Sequence, residues 1–263
     1  MFRAFFMISR NKAKLIHSLR LGKFRKKHRL FVAEGTKMML ELLNSNFQLE
    51  ELFATNDWAS RHADAVKPVE KKISLVSQKD LDGLSNLSTA PDVLAVVAAP
   101  RKVFQPAMLK GKTTLLLDGI NDPGNMGTII RSADWFGVSQ VICSENSVDP
   151  YNPKVVQATM GSIFRISVFE TDLSALLDEV ADSFPVYGAF LDGSSIWETA
   201  LDREAIYIIG SESHGISQPV EKYIQKRIMI PQANRPDRSK SAESLNAAVA
   251  AAILMAEIGR TEP

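Results

Sequence analysis

The sequence predicts an α/β protein of two domains, the larger of which is built on a parallel β-sheet. Short apolar segments alternate with segments of helical periodicity, as in sheets whose strands are joined by crossover helices. Residues 206–210 are almost wholly apolar, which is typical of strands that a parallel sheet buries on both faces. A polar connection at residues 101–112 interrupts this alternation of strands and helices. We therefore predict an N-terminal domain at 1–100, a linker at 101–112 and a C-terminal domain at 113–263.

The composition is that of an ordinary globular chain and narrows the function mainly by exclusion. The 263 residues are 45% apolar and 23% charged, with a formal net charge of +1 at pH 7. The single cysteine, Cys143, lies in an apolar segment and is expected to be a small buried side chain. The four histidines lack metal-ligand spacing, so we expect no metal site. With neither a signal peptide nor a membrane-spanning apolar run, a cytoplasmic location away from membranes is expected.

A dense basic segment lies near the N-terminus. Residues 10–29 contain nine lysines and arginines and no acidic residue. Because such charges repel one another unless an anion neutralises them, and the usual anion is phosphate, the segment favours nucleic acid as a partner. A solvated helix face is the alternative. The candidates for this contact are Arg20, Lys23, Arg25, Lys26, Lys27 and Arg29.

Residues 30–99 predict a small α/β unit, because short apolar runs alternate there with helical spacing. The predicted strands are at 30–32, 52–54, 73–76 and 93–99. The predicted helices are at 36–43 and 79–84.

The stretch 115–137 carries the strongest functional signal. A buried strand at 115–117 leads into a loop of glycines and polar side chains at 118–127, and a helix follows at 128–136. Glycine lets a backbone approach a ligand closely, and a helix start offers unpaired N–H groups. The stretch is either a ligand loop or a tight strand-to-helix turn.

The remaining elements complete the predicted parallel sheet. Strands are predicted at 140–143, 166–169, 186–191, 206–210 and 227–231, and helices at 154–160, 173–181 and 244–258. Ser244 or Ser241 is expected to cap the last helix. Three loops follow apolar strands, at 118–127, 210–217 and 231–246. Because ligands bind at the carboxyl ends of parallel strands, we expect these three loops to converge.

Common nucleotide and hydrolase motifs are absent from the sequence. There is no G-x-G-x-x-G and no G-x-S-x-G, and the Gly111-Lys112-Thr113 triplet precedes its strand instead of following it. The predicted loops and the helix after the first of them hold a different polar set, Asn125, Arg131, Glu212, Ser244 and Asn246. An arginine guanidinium can form bidentate hydrogen bonds to phosphate or carboxylate, so Arg131 is suited to binding an RNA backbone. A structural ion pair is the alternative for Arg131.

Three motifs in this order identify a family resemblance. They are Asn125-x-Gly-x-x-x-Arg131, Gly210-x-Glu212-x-x-Gly215, and Ile230-Pro231 followed by Ser244-Leu245-Asn246. Together they resemble the motifs of the SpoU (TrmH) family, which are RNA 2′-O-ribose methyltransferases of the SPOUT superfamily. Residues 10–99 resemble that family's N-terminal RNA-binding domain, which would make the basic segment an RNA-binding surface.

The resemblance implies a fold, a cofactor and a set of roles. S-adenosylmethionine would be held in a deep trefoil knot of the C-terminal strands and loops, and the protein would be a homodimer. The catalytic set would be Asn125, Arg131, Glu212, Ser244 and Asn246. The cofactor would be held largely through backbone by Gly210, Ile230 and Leu245. The loop after Pro231 departs from the family pattern, because Gln232 follows the proline and the stretch to Ser244 is lengthened.

The expected reaction is transfer of a methyl group to a ribose 2′-hydroxyl of structured RNA, with ribosomal RNA favoured over transfer RNA. We expect Arg131 to grip the adjacent phosphate and stabilise developing alkoxide charge, since a guanidinium is a poor base. Asn125 would orient Arg131 or the ribose, and Glu212 would fix its loop. Two alternatives stay open, a catalytically inactive RNA-binding or ribosome-assembly factor on the same fold and a methyltransferase that modifies a base.

Overall fold

The computed structural model describes residues 8–101, 103–233 and 242–260. Contacts between Cα atoms divide the chain into two compact units. The N-terminal unit comprises Met1–Arg101 together with Asp149–Phe164, and the C-terminal unit comprises the remainder. The excursion 149–164, which lies inside the predicted C-terminal domain, therefore packs with the N-terminal unit. No helix among the described residues is long and apolar enough to cross a membrane.

The strands of the described residues form two separate sheets. In chain order they are β1 (Leu30–Glu34), β2 (Leu49–Ala54), β3 (Ile73–Leu75), β4 (Val93–Ala98), β5 (Thr114–Asp118), β6 (Gln140–Ser144), β7 (Ser167–Thr171), β8 (Val186–Ser195), β9 (Ile206–Gly210) and β10 (Lys226–Met229). The N-terminal unit holds a mixed sheet of order β1-β4-β2-β3. The C-terminal unit holds an all-parallel sheet of order β10-β8-β9-β5-β6-β7. The predicted α/β class with a parallel sheet is confirmed.

The α-helices cover the predicted helical segments and add several short ones. In chain order they are α1 (Arg10–Ser18), α2 (Gly22–His28), α3 (Thr36–Leu43), α4 (Asn56–Arg61), α5 (Ala63–Val66), α6 (Gln78–Leu84), α7 (Pro123–Trp135), α8 (Pro153–Ala158), α9 (Leu173–Val180), α10 (Gln218–Glu221) and α11 (Ala247–Arg260). The basic segment is thus two helices, α1 and α2, joined by a short turn.

Helix α7 begins five residues before the predicted start at 128. Pro123 occupies its first turn, where the missing N–H costs no hydrogen bond, and Asp122 caps it by accepting the Asn125 N–H at 2.8 Å. Asn125 therefore lies on the first turn of a helix and not in a loop. A helix holds this side chain in a more definite position than the predicted loop would.

Helix α11 begins at Ala247, three residues after the predicted start. Its cap is Asn246, whose Oδ1 accepts the N–H groups of Ala248 and Val249 at 3.0 and 3.2 Å. Ser244 precedes the helix, and Ser241 lies outside the described residues. Helix α11 packs against α7, and its buried residues include Ala247, Ala248 and Ala251.

The parallel sheet is buried at its centre. Leu115, Leu116 and Leu117 of β5 are at most 1% exposed, and every residue of β6 is buried. Cys143 of β6 is buried, as expected. This core fixes the carboxyl ends of the central strands, from which the polar loops emerge.

Aromatic side chains explain why the excursion 149–164 belongs to the N-terminal unit. The ring of Phe31 on β1 lies 4.8 Å from that of Tyr151, and the ring of Phe47 lies 5.2 Å from that of Phe164, measured between centroids. Helix α8 also packs against β1. Burial of these rings holds the excursion on the mixed sheet.

Candidate active site

The polar loops of the C-terminal unit emerge beside one another. Strands β5 and β9 are hydrogen-bonded neighbours, and their last paired residues are Asp118 and Gly210. The loop before α7 and the loop after β9 therefore start side by side, at the carboxyl edge of the sheet. Such an edge is where parallel sheets bind ligands.

Three side chains join the three segments by hydrogen bonds. The Asn125 Nδ2 group donates to Glu212 Oε1. The Asn246 Nδ2 group donates to Asn125 Oδ1 at 2.9 Å. Because Asn125 uses its donor on one loop and its acceptor on another, it links α7, the loop after β9 and the start of α11. The expected convergence of the three segments is confirmed.

The loop after β9 is a closed turn. Ser211 N–H donates to the Gly215 carbonyl at 3.0 Å, and Gly215 N–H donates to the Ser211 carbonyl at 2.9 Å. A Cβ on Gly210 would lie 2.1 Å from the carbonyl carbon of Gly215, so only glycine fits beneath this turn. Buried Asp118 accepts the Ser217 N–H at 2.7 Å and holds the far end of the loop. Asp118 was not among the residues predicted for the site.

A cavity of about 530 Å³ opens beside this turn and is lined by the segments after β9 and β10. Apolar walls come from side chains such as Ile196, Ile209 and Leu254. Five residues predicted for the site line it, Gly210, Glu212, Ile230, Ser244 and Leu245. The volume is that of a site for a small organic ligand.

The cavity lining is acidic. Among the described residues it contains the carboxylates of Asp192, Glu212 and Glu243, the imidazole of His214, and no lysine or arginine. Such a lining favours a ligand that carries positive charge. No group of three or more His, Cys, Asp or Glu in the described part of the chain is arranged to hold a metal ion.

The charge of Asp192 is balanced by a neighbour outside the lining. Arg227 donates to Asp192 at 2.7 Å and to Glu221 at 2.7 Å, and its guanidinium lies 3.5 Å from the centre of the Phe190 ring. The hydrogen bond from Arg227 holds the pKa of Asp192 below its ordinary value, and the same bond raises the pKa of Arg227. Asp192 is therefore ionised and paired with Arg227, whereas Glu212 and Glu243 have no ion pair with the described residues and are available to a cationic ligand.

Arg131 stands apart from the hydrogen-bonded set. It follows Asn125 by six residues on α7, about 9 Å further along the helix axis. Its side chain is exposed and has no hydrogen bond or ion pair with the residues that the structure describes. The structural ion pair weighed as an alternative is therefore not seen there, and the guanidinium is open to an external anion.

Of the six residues predicted to contact nucleic acid, five have exposed side chains and one, Arg25, is buried. Arg20, Lys23, Lys26, Lys27 and Arg29 are exposed. Arg20 also donates to the Ser85 carbonyl at 2.8 Å. These five remain candidates for RNA contact.

Arg25 has a structural environment. Its side chain is only 5% exposed, and it forms an ion pair with Asp149 at 2.7 Å. It also donates to the carbonyls of Leu19 and Arg20, at 2.8 and 2.9 Å. Because the guanidinium is buried and committed to these acceptors, we remove Arg25 from the predicted RNA-contacting set.

Replacing Arg25 with alanine is expected to destabilise the protein by roughly 3 kcal/mol, because it leaves a partly buried carboxylate and two carbonyls without their donor. Urea denaturation of the full chain measures this change. The matched control is Lys27→Ala, at an exposed position of the same helix, which should shift the free energy of unfolding by no more than about 0.5 kcal/mol. Equal effects of the two substitutions would contradict the structural role of Arg25.

Comparison with known proteins assigns both parts of the chain. Residues 112–256 match the model of the SpoU rRNA Methylase family, and residues 10–95 match that of the MRM3-like substrate binding domain. The 23S rRNA (guanosine(2553)-2′-O)-methyltransferase RlmP of Bacillus subtilis is 28% identical over 239 residues, covering 90% of this chain and 91% of that protein.

Solved structures are similar over nearly the whole chain. A protein from Porphyromonas gingivalis assigned to the TrmH family of RNA methyltransferases has a TM-score of 0.85 and 35% identity, covering 98% of this chain and 100% of its own. The AdoMet-bound rRNA methyltransferase from Sinorhizobium meliloti has a TM-score of 0.81 and 26% identity, covering 97% of each chain. With more than half of its length matched by the family model, this chain belongs to the SpoU rRNA methylase family.

Proposed function

We propose that this protein transfers a methyl group from S-adenosylmethionine to a ribose 2′-hydroxyl of structured RNA, with ribosomal RNA favoured over transfer RNA. The observation that carries the proposal is the hydrogen-bonded convergence of Asn125, Glu212 and Asn246 beside an acidic cavity. The Bacillus subtilis relative is named for ribosomal RNA 2′-O-methylation, and the Sinorhizobium meliloti relative was solved with AdoMet bound. Both support the proposed reaction.

The residues of the cavity fit S-adenosylmethionine. When bound, this cofactor supplies an electrophilic methyl group on a sulfonium. Glu212 and Glu243 place negative charge where a cationic ligand would lie, and apolar side chains line the rest. Gly210, Ile230 and Leu245 border the same space and would hold the ligand largely through their backbone groups.

The polar side chains would position the acceptor ribose. A ribose hydroxyl is a weak nucleophile, so its placement in line with the methyl group accounts for much of the rate. Asn125 and Asn246 hold the three segments in register, and Glu212 and Ser244 lie on the cavity wall. Arg131 would bind the phosphate next to the reactive ribose and stabilise charge that develops on the 2′-oxygen. A permanently protonated guanidinium does not accept the proton, which leaves for solvent or a neighbouring carboxylate.

In this proposal the two domains have different functions, RNA binding and methyl transfer. Residues 1–100, together with 149–164, would bind the RNA, the rest of 113–263 would carry out methyl transfer, and 101–112 would connect the two. The exposed basic side chains of α2 and of the turns before and after it would supply the phosphate contacts, namely Arg20, Lys23, Lys26, Lys27 and Arg29.

A homodimer with a knotted C-terminal domain, acting in the cytoplasm, completes the proposal. The exposed apolar side chains of the C-terminal unit support self-association. Trp135 on α7 is 83% exposed and Val249 on α11 is 46% exposed, and α7 and α11 pack against each other. Exposed apolar side chains of this size commonly mark protein interfaces.

The reaction is tested by incubating the protein with methyl-labelled S-adenosylmethionine and total RNA from a strain that lacks its gene. We expect label in nucleosides that carry a 2′-O-methylribose, identified by mass after nuclease digestion. RNA from the parent strain is the control, since its sites are already modified and should accept little label. Label on a base would support the base-methylating alternative. No label, with intact RNA binding, would support the inactive-factor alternative.

A further inference from the structure

A second cleft lies wholly within the N-terminal unit. Its volume is about 290 Å³, and its walls are strand β1, the turn after α6 and helix α8. The side chains of Val32, Leu87 and Val156 supply apolar contact surface. A small cleft with apolar walls and a few convergent polar groups is suited to a compact ligand.

One wall of the cleft carries a buried carboxylate with capacity for a further hydrogen bond. Glu34 is 4% exposed, and its Oε1 accepts from the backbone N–H and side-chain Nδ2 of Asn86, at 2.9 and 3.0 Å. Its Oε2 accepts from the Ser85 hydroxyl. A carboxylate has about four acceptor positions, so roughly one remains. Because the Asn86 amide donates to Glu34, its Oδ1 is left as an acceptor in the lining.

The part of the lining that α8 contributes carries donors. Lys154 and Gln157 are three residues apart on α8, a spacing that places them on one face of the helix. Neither side chain has a hydrogen bond or ion pair with the residues that the structure describes. The cleft lining thus offers two acceptor groups from β1 and the turn after α6, and an ammonium and an amide from α8.

We propose that this cleft receives one unpaired nucleobase of the RNA substrate and favours guanine, a proposal that rests on the RNA methyltransferase function above. Guanine presents two adjacent donors, N1–H and the N2 amino group, which match the oxygens of Glu34 and Asn86. Its O6 and N7 acceptors match Lys154 and Gln157. Uracil offers one donor between two acceptors and leaves an acceptor of the cleft unpaired. Proteins that read RNA sequence commonly bind bases splayed out of the helix in this way.

The proposal is tested by binding of the full chain to fluorescently labelled RNA hairpins that differ only in one bulged nucleotide, guanosine, adenosine or uridine. We expect the guanosine hairpin to bind roughly tenfold more tightly than the other two, as for a well-formed base contact. Gln157→Ala and Lys154→Ala should each reduce that preference. Lys79→Ala, at an exposed lysine of α6 outside the cleft, is the matched control and should retain it.

Equal affinity of the wild-type protein for the three hairpins would overturn the proposal. So would a guanosine preference that survives both α8 substitutions unchanged, because the cleft would then not be its source. Methyl transfer to total RNA is measured on the same preparations. Activity without a base preference would refute only the proposal that the cleft binds guanine. A base preference without activity would refute the proposed reaction and leave the guanine-binding proposal supported.

Discussion

Replacement of Arg131 by alanine is expected to lower methyl transfer by roughly 100- to 1,000-fold, the usual effect of removing one donor that stabilises charge in a transition state. The affinity for S-adenosylmethionine should stay within about twofold, because Arg131 does not line the cavity. The measurement combines single-turnover methyl transfer with isothermal titration of the cofactor. A loss of turnover without a loss of cofactor binding would place Arg131 on the RNA side of the reaction.

Two further variants test whether the effect is specific to the guanidinium of Arg131. Lys110→Ala removes an exposed cation of the same unit outside the site and should leave both measurements unchanged. Arg131→Lys keeps the charge but loses the planar fork, and it should recover only part of the activity if the fork grips a phosphate. Wild-type turnover in the alanine variant would show that Arg131 has no part in the chemistry.

The Gly210→Ala variant is expected to lose both stability and cofactor affinity. The added Cβ would lie 2.1 Å from the Gly215 carbonyl carbon and 2.3 Å from the Ile216 nitrogen, and both are backbone atoms that cannot move aside as a side chain would. Overpacking of this kind costs about 1–3 kcal/mol. Since the displaced turn forms part of the cavity wall, S-adenosylmethionine should bind roughly tenfold more weakly if about 1.4 kcal/mol of its binding free energy is lost.

The matched control for this substitution is Gly259→Ala in the same unit. A Cβ at Gly259 meets nothing within 4 Å, and the residue lies on helix α11, so alanine should leave stability unchanged or raise it slightly. Thermal denaturation measures the stability of both variants, and cofactor titration measures their affinity for S-adenosylmethionine. If Gly210→Ala bound the cofactor as tightly as the wild type, the turn after β9 would not be part of its site.

The convergence of the three segments was predictable from sequence because they follow strand ends. Once 115–117 and 206–210 are recognised as buried parallel strands, the polar residues that follow them must lie at one edge of the sheet. The structure adds the hydrogen bonds between these segments, which the spacing of residues in the sequence does not show. Asn125 bonds to both Glu212 and Asn246, residues 87 and 121 positions away along the chain. Hydrogen bonds over such separations depend on the tertiary fold.

Other features could not be read from the sequence for identifiable physical reasons. Arg25 has the same local composition around it as Lys26 and Lys27, but the fold buries its side chain and gives it an ion pair with Asp149 and two carbonyl acceptors. The excursion 149–164 lies between two strands of one sheet and packs on the other, through aromatic contacts that no periodicity signals. The start of α7 was recoverable, since Asp122 and Pro123 are a cap and a first-turn residue.

Hydrogen–deuterium exchange of the full chain with and without S-adenosylmethionine tests most directly whether the three separated segments enclose one cofactor. Binding should slow exchange together in the segments around 209–216, 228–230 and 243–250, which line the same cavity, because ligation suppresses local opening. Protection limited to one of them, or located outside the C-terminal unit, would contradict the account.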